Sequence, residues 1–522
     1  YRRQRQMCIR DRETTFNWTI DGKSICTTST LTFSADEAGR YFILISATNA
    51  GGTTEKEIRI DVFQLDVPTI SIADADKGFK VLQGSELTIT PIVDSFLETS
   101  YSWQINGEDI SNELTCTLPT IELGEYQVRF ATHNEDGDDE VTFKVEVCSP
   151  DQVDFNWTFL QTEYNMSAGR TIRIKPVDVN NALDAVYTWT VDNEQVQSGE
   201  NDTYLFTSEQ QGEHTVKVEM KNSYILATQT LKVNVCPPAG TYQRKISATS
   251  SASMNKVYEY LPAPGQFINE NHNTITMAEA CTYAEERINQ TAYVSLGGFG
   301  GYIIVGFDHS IVNDGDYNIA ITGNAFDGSS EPGIVWVMQD ENGDGLPNDT
   351  WYELRGSEYG KAETWQDYAV TYHKPTGIQL PTPWTDNHGQ SGSIDYLGAF
   401  HRQDYYYPAW VKEKQYTLRG TRLKERNYDQ SGNGTYWVND SYEWGYADNF
   451  SAIDRLTDDD NYNAGPSDNH FKISHAVTFD GKDANLKYVD FIKVQVGVNS
   501  KSGWLGEIST EVFGIKDFNM LK

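Results

Sequence analysis

At 522 residues the chain has room for several domains of ordinary size, each able to bury its own core. A formal net charge of −34 excludes an electrostatically driven hold on nucleic acid or on an anionic membrane face. Aromatic residues make up 12%, with 30 tyrosines, which excludes a disordered chain, and no run of about 18 apolar residues is present to cross a bilayer as a helix.

Residues 1–12 differ in character from the rest of the chain. They are basic and non-periodic, and they run without a turn signal into a strand already under way at Phe16. Met7-Cys8-Ile9-Arg10-Asp11-Arg12 is what the mosaic-end sequence of transposase-based sequencing libraries would encode. This segment is therefore expected to be non-native read-through, with the true N-terminus and its export signal missing. Setting Cys8 aside leaves Cys26, Cys116, Cys148, Cys236 and Cys281, an odd number at irregular spacing without a C-x-x-C pair. That predicts free thiols rather than a zinc site or a disulfide framework.

Three Trp-centred strands, each followed by a Gly-x-aromatic or Gly-x-His turn and an alternating strand, form a tandem array. They are Trp18 with Gly39-Arg40-Tyr41, Trp103 with Gly124-Glu125-Tyr126, and Trp189 with Gly212-Glu213-His214. The Trp residues recur 85 and then 86 positions apart. In the second repeat, Glu86 to Ile92 and Tyr101 to Ile105 read as strands, and Asn106-Gly107 as a hairpin turn. Val141, Phe143, Val145 and Val147 then share one face of a strand that Cys148 closes, as Cys236 closes its counterpart in the third repeat. Both cysteines read as buried, inert thiols. The segments Trp18-Thr19-Ile20-Asp21-Gly22, Trp103-Gln104-Ile105-Asn106-Gly107 and Trp189-Thr190-Val191-Asp192-Asn193 resemble PKD-like and immunoglobulin-like domains of bacterial surface proteins. The resemblance implies antiparallel β-sandwiches serving as spacers. Expected boundaries are 13–66 for a truncated first repeat, 67–150 for the second and 151–238 for the third. A linker is expected at 239–256 and a C-terminal module at 257–522.

The C-terminal module opens near Val257. Thr276 and Glu279 form a capping box ahead of an apolar stripe of Met277, Ala280, Cys281, Ala284 and Ile288, which predicts one helix. Strand-like runs follow at 302–307, 334–338, 368–372, 488–498 and 508–515, so the expected fold is all-β, a jelly-roll-type sandwich with long loops. Gly297, Gly298, Gly300 and Gly301 lie between two strands with no helix after them, which predicts a tight corner rather than a phosphate loop.

Asp340, Asn342 and Asp344, followed by Gly345, place oxygen ligands at positions 1, 3 and 5 of a loop, with Asn348 and Asp349 close behind. Ca²⁺ takes six to eight hard oxygens in such loops, so these five residues are the expected metal ligands. Position 12, which an EF-hand fills with Glu, is Trp351 here, and a strand rather than a helix precedes the loop. Beyond residue 380 aromatics crowd loop-like stretches. Trp384, Trp410, Trp437 and Trp444, with Asp448, are the expected ligand-binding residues, because exposed rings beside carboxylates suit the apolar face and hydroxyls of a sugar.

Over residues 257–522 the chain resembles an uncharacterised cell-surface protein domain common in Bacteroidetes. The segments that carry the likeness are Val257 to Phe267, Ser295 to His309, Glu331 to Val335, Trp351 to Leu354 with Gly356-Ser357-Glu358, and Gly503 to Ile508. The resemblance implies an exported, lipid-anchored protein that accompanies outer-membrane nutrient uptake, and it transfers no catalytic residues. Glycan or small-nutrient capture, a vitamin included, for a TonB-dependent transporter is the leading expectation. Adhesion or a structural surface role is the first alternative. The second is glycoside hydrolysis by two carboxylates drawn from Glu331, Glu353, Glu443, Asp448, Asp454 and Glu507.

Overall fold

The computed structural model describes residues 14–35, 39–62, 65–72, 75–95, 97–149, 152, 156–180, 182, 184–222, 225–270, 272–456 and 466–522. The read-through expected at residues 1–12 lies outside them. The chain divides into two compact units. One comprises Tyr1–Ile70, Val93–Ser102 and Phe130–Val141, and the other comprises Ser71–Ile92, Trp103–Arg129 and Thr142–Lys522.

In the first unit, the strands Lys23–Cys26, Thr15–Ile20, Gly39–Asn49 and Gly52–Val62 form an antiparallel sheet in that order. Asp21 and Gly22 turn the first hairpin at φ of 49° and 74°, the left-handed pair that matches the twist of the flanking strands. The Trp18 indole Nε1 donates to the Thr28 carbonyl at 2.9 Å. Past the sheet, Asp66 accepts from Ser95 Oγ at 2.8 Å and its own N–H donates to Asp136 Oδ2 at 2.7 Å. Asn134 Nδ2 donates to the Asp66 carbonyl at 2.6 Å, so one aspartate gathers three stretches of chain.

The second unit repeats the same chemistry with more burial. Trp103 and Trp189 are both fully buried. Trp103 Nε1 donates to the Glu113 carbonyl at 3.0 Å, the same ten-residue reach as in the first repeat. Hairpins again turn on left-handed pairs, Asn106-Gly107 and Asp192-Asn193. The third repeat shows a complete sandwich. A five-stranded sheet runs Glu163–Ser167, Leu226–Cys236, Gly212–Lys221, Val186–Val191, Glu194–Gly199, and Thr171–Ile174 pairs with Tyr204–Thr207 in the second sheet. Val216, Val218 and Met220 alternate into the core, as do Leu231, Val233 and Val235 of the neighbouring strand, with Val216 paired to Leu231, as period-two patterning requires. Cys148 and Cys236 are free, buried strand-end thiols, each directed at the carbonyl two residues back at 3.6 Å.

The Gly-x-Tyr and Gly-x-His turns close the loop ahead of their own strand. Tyr126 Oη donates to the Glu122 carbonyl at 3.0 Å, and His214 Nε2 faces the Gln210 carbonyl at 2.9 Å in the equivalent place. His214 Nδ1 meets Asp192 Oδ2 at 2.6 Å, so both ring nitrogens face acceptors and the imidazolium is favoured.

The C-terminal module is a larger β-sandwich. Its six-stranded antiparallel sheet runs Lys256–Leu261, Tyr302–Val312, Tyr488–Val496, Gly333–Met338, Trp351–Leu354, Ala476–Val477. Register places Ile303, Val494 and Val335 in one row and Val305, Ile492 and Val337 in the next, and these rows carry the core face. A four-stranded sheet, Ser391–Ile394, Thr382–Asp386, Trp365–His373, Gln415–Arg422, and a three-stranded one, Ser467–Phe471, Ile319–Gly323, Gly514–Asp517, contribute Val370, Tyr372, Leu418, Ile321 and Ile515 to the same core.

The helix α1, Met277–Asn289, starts at Thr276 with the full capping box and buries Ala280, Ala284 and Ile288. The strand expected at 508–515 is broken instead. Glu511–Val512 pairs with Val294–Ser295, and Gly514–Asp517 changes partner to Ile319–Gly323. The glycine corner is crowded: a Cβ on Gly297 or Gly301 would collide with the Ala263 or Leu296 carbonyl oxygen. The expected linker is tied down rather than free. Arg244 holds Asp490 at 3.0 Å and the Phe307 carbonyl at 2.8 Å, and buried Met254 donates its N–H to the Ile515 carbonyl.

The pairing at His214 sets a pH dependence with a definite sign. The bond to the Gln210 carbonyl, reinforced by Asp192, raises the His214 pKa above its ordinary value. The Thr215 N–H and then His214 lower that of Asp192. The histidine's stabilisation is therefore complete below about pH 6.5 and is lost as pH rises through the raised value, while the aspartate's is present above about pH 4 and is lost in acid. His214→Tyr, which installs the residue of the other two repeats, is expected to flatten the stability of the third repeat between pH 6 and 8, as measured by urea unfolding followed by tryptophan fluorescence.

Candidate functional site

The acidic loop after the strand Gly333–Met338 draws its five expected metal ligands together. Asp340 Oδ1 and Oδ2 accept from the N–H groups of Gly343 and Gly345 at 2.7 and 3.0 Å. Asn342 Oδ1 accepts from Asp344 N–H at 2.9 Å, and Asp344 Oδ2 accepts from the amides of Asn342 and Asn348 at 2.9 and 2.8 Å. Asp349 Oδ2 accepts from Glu341 N–H at 3.0 Å, whereas its Oδ1 is buried without a hydrogen-bond partner. Burial, opposed by the bond from Glu341 N–H and aided by neighbouring carboxylates, pushes Asp349 up to about 8. All-oxygen donors around a buried, donor-poor carboxylate fit a hard cation such as Ca²⁺.

Glu341, the second residue of that loop, faces the third repeat. Its Oε2 accepts from the Ser167 N–H at 3.1 Å, and Arg170 Nε lies 3.5 Å from Oε1. Arg170 also donates to the Ala484 carbonyl at 3.0 Å and to Gln339 Oε1 at 3.4 Å. Nearby, Arg173 and Lys175 both hold Asp367, at 3.1 and 2.7 Å, and Arg419 pairs with Asp178. The third repeat is thus docked on the C-terminal sandwich through ion pairs and does more than space it.

The expected ligand-binding residues occupy separate environments. Trp410 is 6% exposed, lies among Tyr260 and His272, and donates Nε1 to the Tyr260 carbonyl at 3.2 Å. It is a core residue, so the expectation that it stacks on a ligand is corrected by its burial. Trp384 is half-buried beside Gly392 in the four-stranded sheet. Trp437 is half-buried, packs against Gly503 and donates to the Gly434 carbonyl at 3.3 Å.

Trp444 lines a cavity of ≈ 240 Å³, with Tyr317, Arg355, Asp454, His470 and His475 among its walls. Its ring sits 5.1 Å from that of His475. Buried Asp454 fixes this wall, accepting from Gly445 N–H at 2.6 Å and from Asn469 Nδ2 at 2.9 Å. Burial lowers the pKa of His470 and His475, so both rings are neutral. The His470 Nδ1–H donates to the Asp454 carbonyl at 2.8 Å, which leaves Nε2 with acceptor character.

Asp448 belongs to a different place. It is fully buried in the left-handed region at φ 52°, a conformation rarely held by a residue with a side chain, so the expectation that it sits with the aromatic rings on a ligand face is corrected. One oxygen from each of Asp448, Glu331 and Glu511 lies within 4.8 Å of the others, the one such acidic group among the described residues. Burial raises the pKa of all three; the neighbouring carboxylates push Asp448 and Glu511 further up, whereas hydrogen bonds from Glu511 and the Ser509 backbone oppose the rise at Glu331.

Glu511 escapes a sequence reading. The only signal is that Glu511 stands in the apolar run 508–515, where a charge has no surface to face. His470 and His475, likewise unannounced, sit in a stretch of mixed polarity with no periodicity.

Two segments of the chain, residues 67–134 and 139–222, match the family model of the PKD-like domain. No curated protein matches the chain. Among solved structures, the fibronectin(III)-like modules of CbhA from Clostridium thermocellum are similar at 15% identity and a TM-score of 0.18, covering 34% of this chain and 100% of that one. The three N-terminal domains of the bacteriophage RB49 capsid protein Hoc are similar at 15% identity and 0.20, covering 43% and 88%. A chimeric titin Z1Z2 is similar at 20% and 0.19, covering 33% and 98%. Scores at this level carry no argument. PKD-like domains are typical of extracellular proteins, and tandem domains of this class fit a surface or adhesion-type protein. Among the described residues no helix is long and apolar enough to cross a membrane, which says nothing of β-barrels.

The Arg170 junction is testable directly. Its side chain is 19% exposed and that of Glu341 is 1%, so Arg170→Ala strands a buried carboxylate. Removing one partner of such a pair costs about 3–5 kcal/mol. Differential scanning calorimetry of the full chain is expected to show that loss, and a shift under about 1 kcal/mol would assign the pair to the screened surface class.

Proposed function

We propose that the PKD-like repeats display a C-terminal β-sandwich that captures a sugar or similarly small nutrient. The chain would act at the outer face of the outer membrane as a lipid-anchored partner of a TonB-dependent transporter. The observation that carries this reading is the cavity beside Trp444. An aromatic wall, two neutral histidines and the Arg355 guanidinium offer the apolar face and the hydrogen-bonding groups that a sugar ring needs. At ≈ 240 Å³ it lies below the roughly 300–1,000 Å³ of pockets for drug-sized ligands, so it suits a single sugar or a chain end better than a bulky vitamin. Among the described residues that wall the cavity only Asp454 is a carboxylate, and its oxygens are already engaged by backbone and amide donors, so the two-carboxylate hydrolase draws no support from them.

A thermal-shift screen of the full chain against monosaccharides, short glycans and corrinoid vitamins tests capture, because a ligand selective for the native state raises the midpoint. A sugar hit that weakens at least about tenfold in Trp444→Ala supports the reading. A flat panel would move the chain to adhesion.

We propose also that the loop 340–349 holds Ca²⁺ as a structural ion that rigidifies the docking of the third repeat. Asp349 Oδ1, buried without a donor, supports this. EDTA is expected to lower the wild-type midpoint by a step that Asp344→Ala removes. An EDTA response that is the same in both proteins would refute the loop site.

A further inference from the structure

The cavity beside Trp444 is lined by donors more than by acceptors. Arg355, Lys472, His470 and His475 all line it. Among the described residues of its walls the one carboxylate, Asp454, is already engaged by the Gly445 N–H and the Asn469 amide. A neutral sugar, whose hydroxyls donate as readily as they accept, is met by carboxylates and side-chain amides. Two cations in one small cavity instead call for an acceptor that carries charge.

The backbone brings these two cations to the same side. Arg355 follows the strand Trp351–Leu354 and donates its N–H to the His475 carbonyl at 3.1 Å, while His475 donates its own N–H to the Lys472 carbonyl at 3.0 Å. After burial, Arg355 and then Lys472 depress the pKa of His475, with Asp483 opposing, so the positive field of the pair reaches that ring. Neither cation is exhausted by its partner. Arg355 Nη2 donates to Asp483 at 2.6 Å, and Lys472 Nζ lies 3.8 Å from Asp316 Oδ1 and 4.7 Å from the centre of the Tyr317 ring. Both aspartates stand outside the cavity's walls with side chains 56% and 67% exposed, so water screens these pairs. A guanidinium keeps donors beyond one carboxylate contact, and the Lys472 ammonium makes no hydrogen bond among the described residues.

We infer, resting on the capture proposal, that the cavity takes a sugar bearing one carboxylate, a hexuronate or a uronate chain end, with that carboxylate between Arg355 and Lys472. The rest of the sugar meets the other walls. Trp444 offers its face to the apolar side of the ring, and His470 Nε2, left as an acceptor by the bond from Nδ1 to the Asp454 carbonyl, takes a sugar hydroxyl. Partial compensation by Asp483 and Asp316 suits the pair to a single negative charge rather than to the double charge of a phosphate ester. In a chain with a net charge of −34, cations at the cavity also offset the repulsion that an anionic ligand meets on approach.

Isothermal titration calorimetry and thermal shifts of the full chain with galacturonate and glucuronate, their methyl esters and the parent hexoses test this, because the ester keeps the shape of the acid and removes its charge. The acid is expected to bind at least about tenfold tighter than its ester, by an advantage that shrinks as salt is raised. Lys472→Met and Arg355→Gln are each expected to reduce that preference. Should either variant fail to fold, the comparison of acid with ester on the wild-type chain still decides the matter. Neutral hexoses or esters that bind as tightly as the acids would overturn the carboxylate assignment and leave capture standing. A panel silent throughout would overturn capture and this assignment with it. A preference for the acid that survives in both variants would put the anion elsewhere and overturn the assignment to this cavity.

Discussion

A carboxylate taken out of water must be met by donors, by a cation or by a proton, and the C-terminal sandwich is organised around that constraint. Asp448 and Asp454 are met by backbone and amide donors, and in return they fix the Asn324-Ala325 and Gly445 segments. Asp490 is met by Arg244, which fastens the chain entering the domain, and Glu341 by Arg170 from the third repeat. Glu507 shows the remaining option. One of its oxygens accepts from Gln266 N–H at 2.7 Å, the other has no partner, and burial pushes it up to about 8, so it is held as the acid at neutral pH. The apolar rows of the six-stranded sheet supply the driving force for collapse, but the buried acids decide which loops sit where.

How much of this was legible in the sequence depends on the range of the interactions. Local signals were read correctly where the chemistry is local: the capping box at Thr276 and Glu279, the hairpin turn at Asn106-Gly107, and the period-two face of Val145 and Val147. The crowded corner at Gly297 and Gly301 was legible because the glycines lay between strands with no helix beyond them. What was lost is non-local. Trp410 and an exposed Trp look alike in a sequence, since burial depends on Tyr260 and His272, about 150 and 138 positions away. Glu331, Asp448 and Glu511 come from segments separated by 117 and 63 residues, and no spacing rule links them. The break in the strand run 508–515 is equally non-local, being set by a change of partner from Val294–Ser295 to Ile319–Gly323.

The third repeat illustrates how one scaffold acquires a second task without altering its core. Its Trp, its hairpin turn and its alternating strands are those of the array, yet Arg170, Arg173, Lys175 and Asp178 on one edge reach the C-terminal sandwich. In a chain with 75 acidic residues against 41 basic ones, cations are scarce, and several are spent on this junction. A repeat of the array is here also ion-paired to the neighbouring sandwich.

Cys236 lies at the end of the strand Leu226–Cys236, and after burial it is the carboxylates of Asp349 and Glu341 that push its thiol up, to about 12. A thiol so far from ionising is a poor nucleophile for disulfide exchange, which lets an unpaired cysteine pass through an oxidising compartment without cross-linking. The same coupling makes the sulfur a gauge of the loop's charge. Whatever neutralises Asp349 and its neighbours also releases part of the field on Cys236, so the rate at which a small alkylating reagent labels this one atom reports, from within the neighbouring domain, on the electrostatic state of the acidic loop.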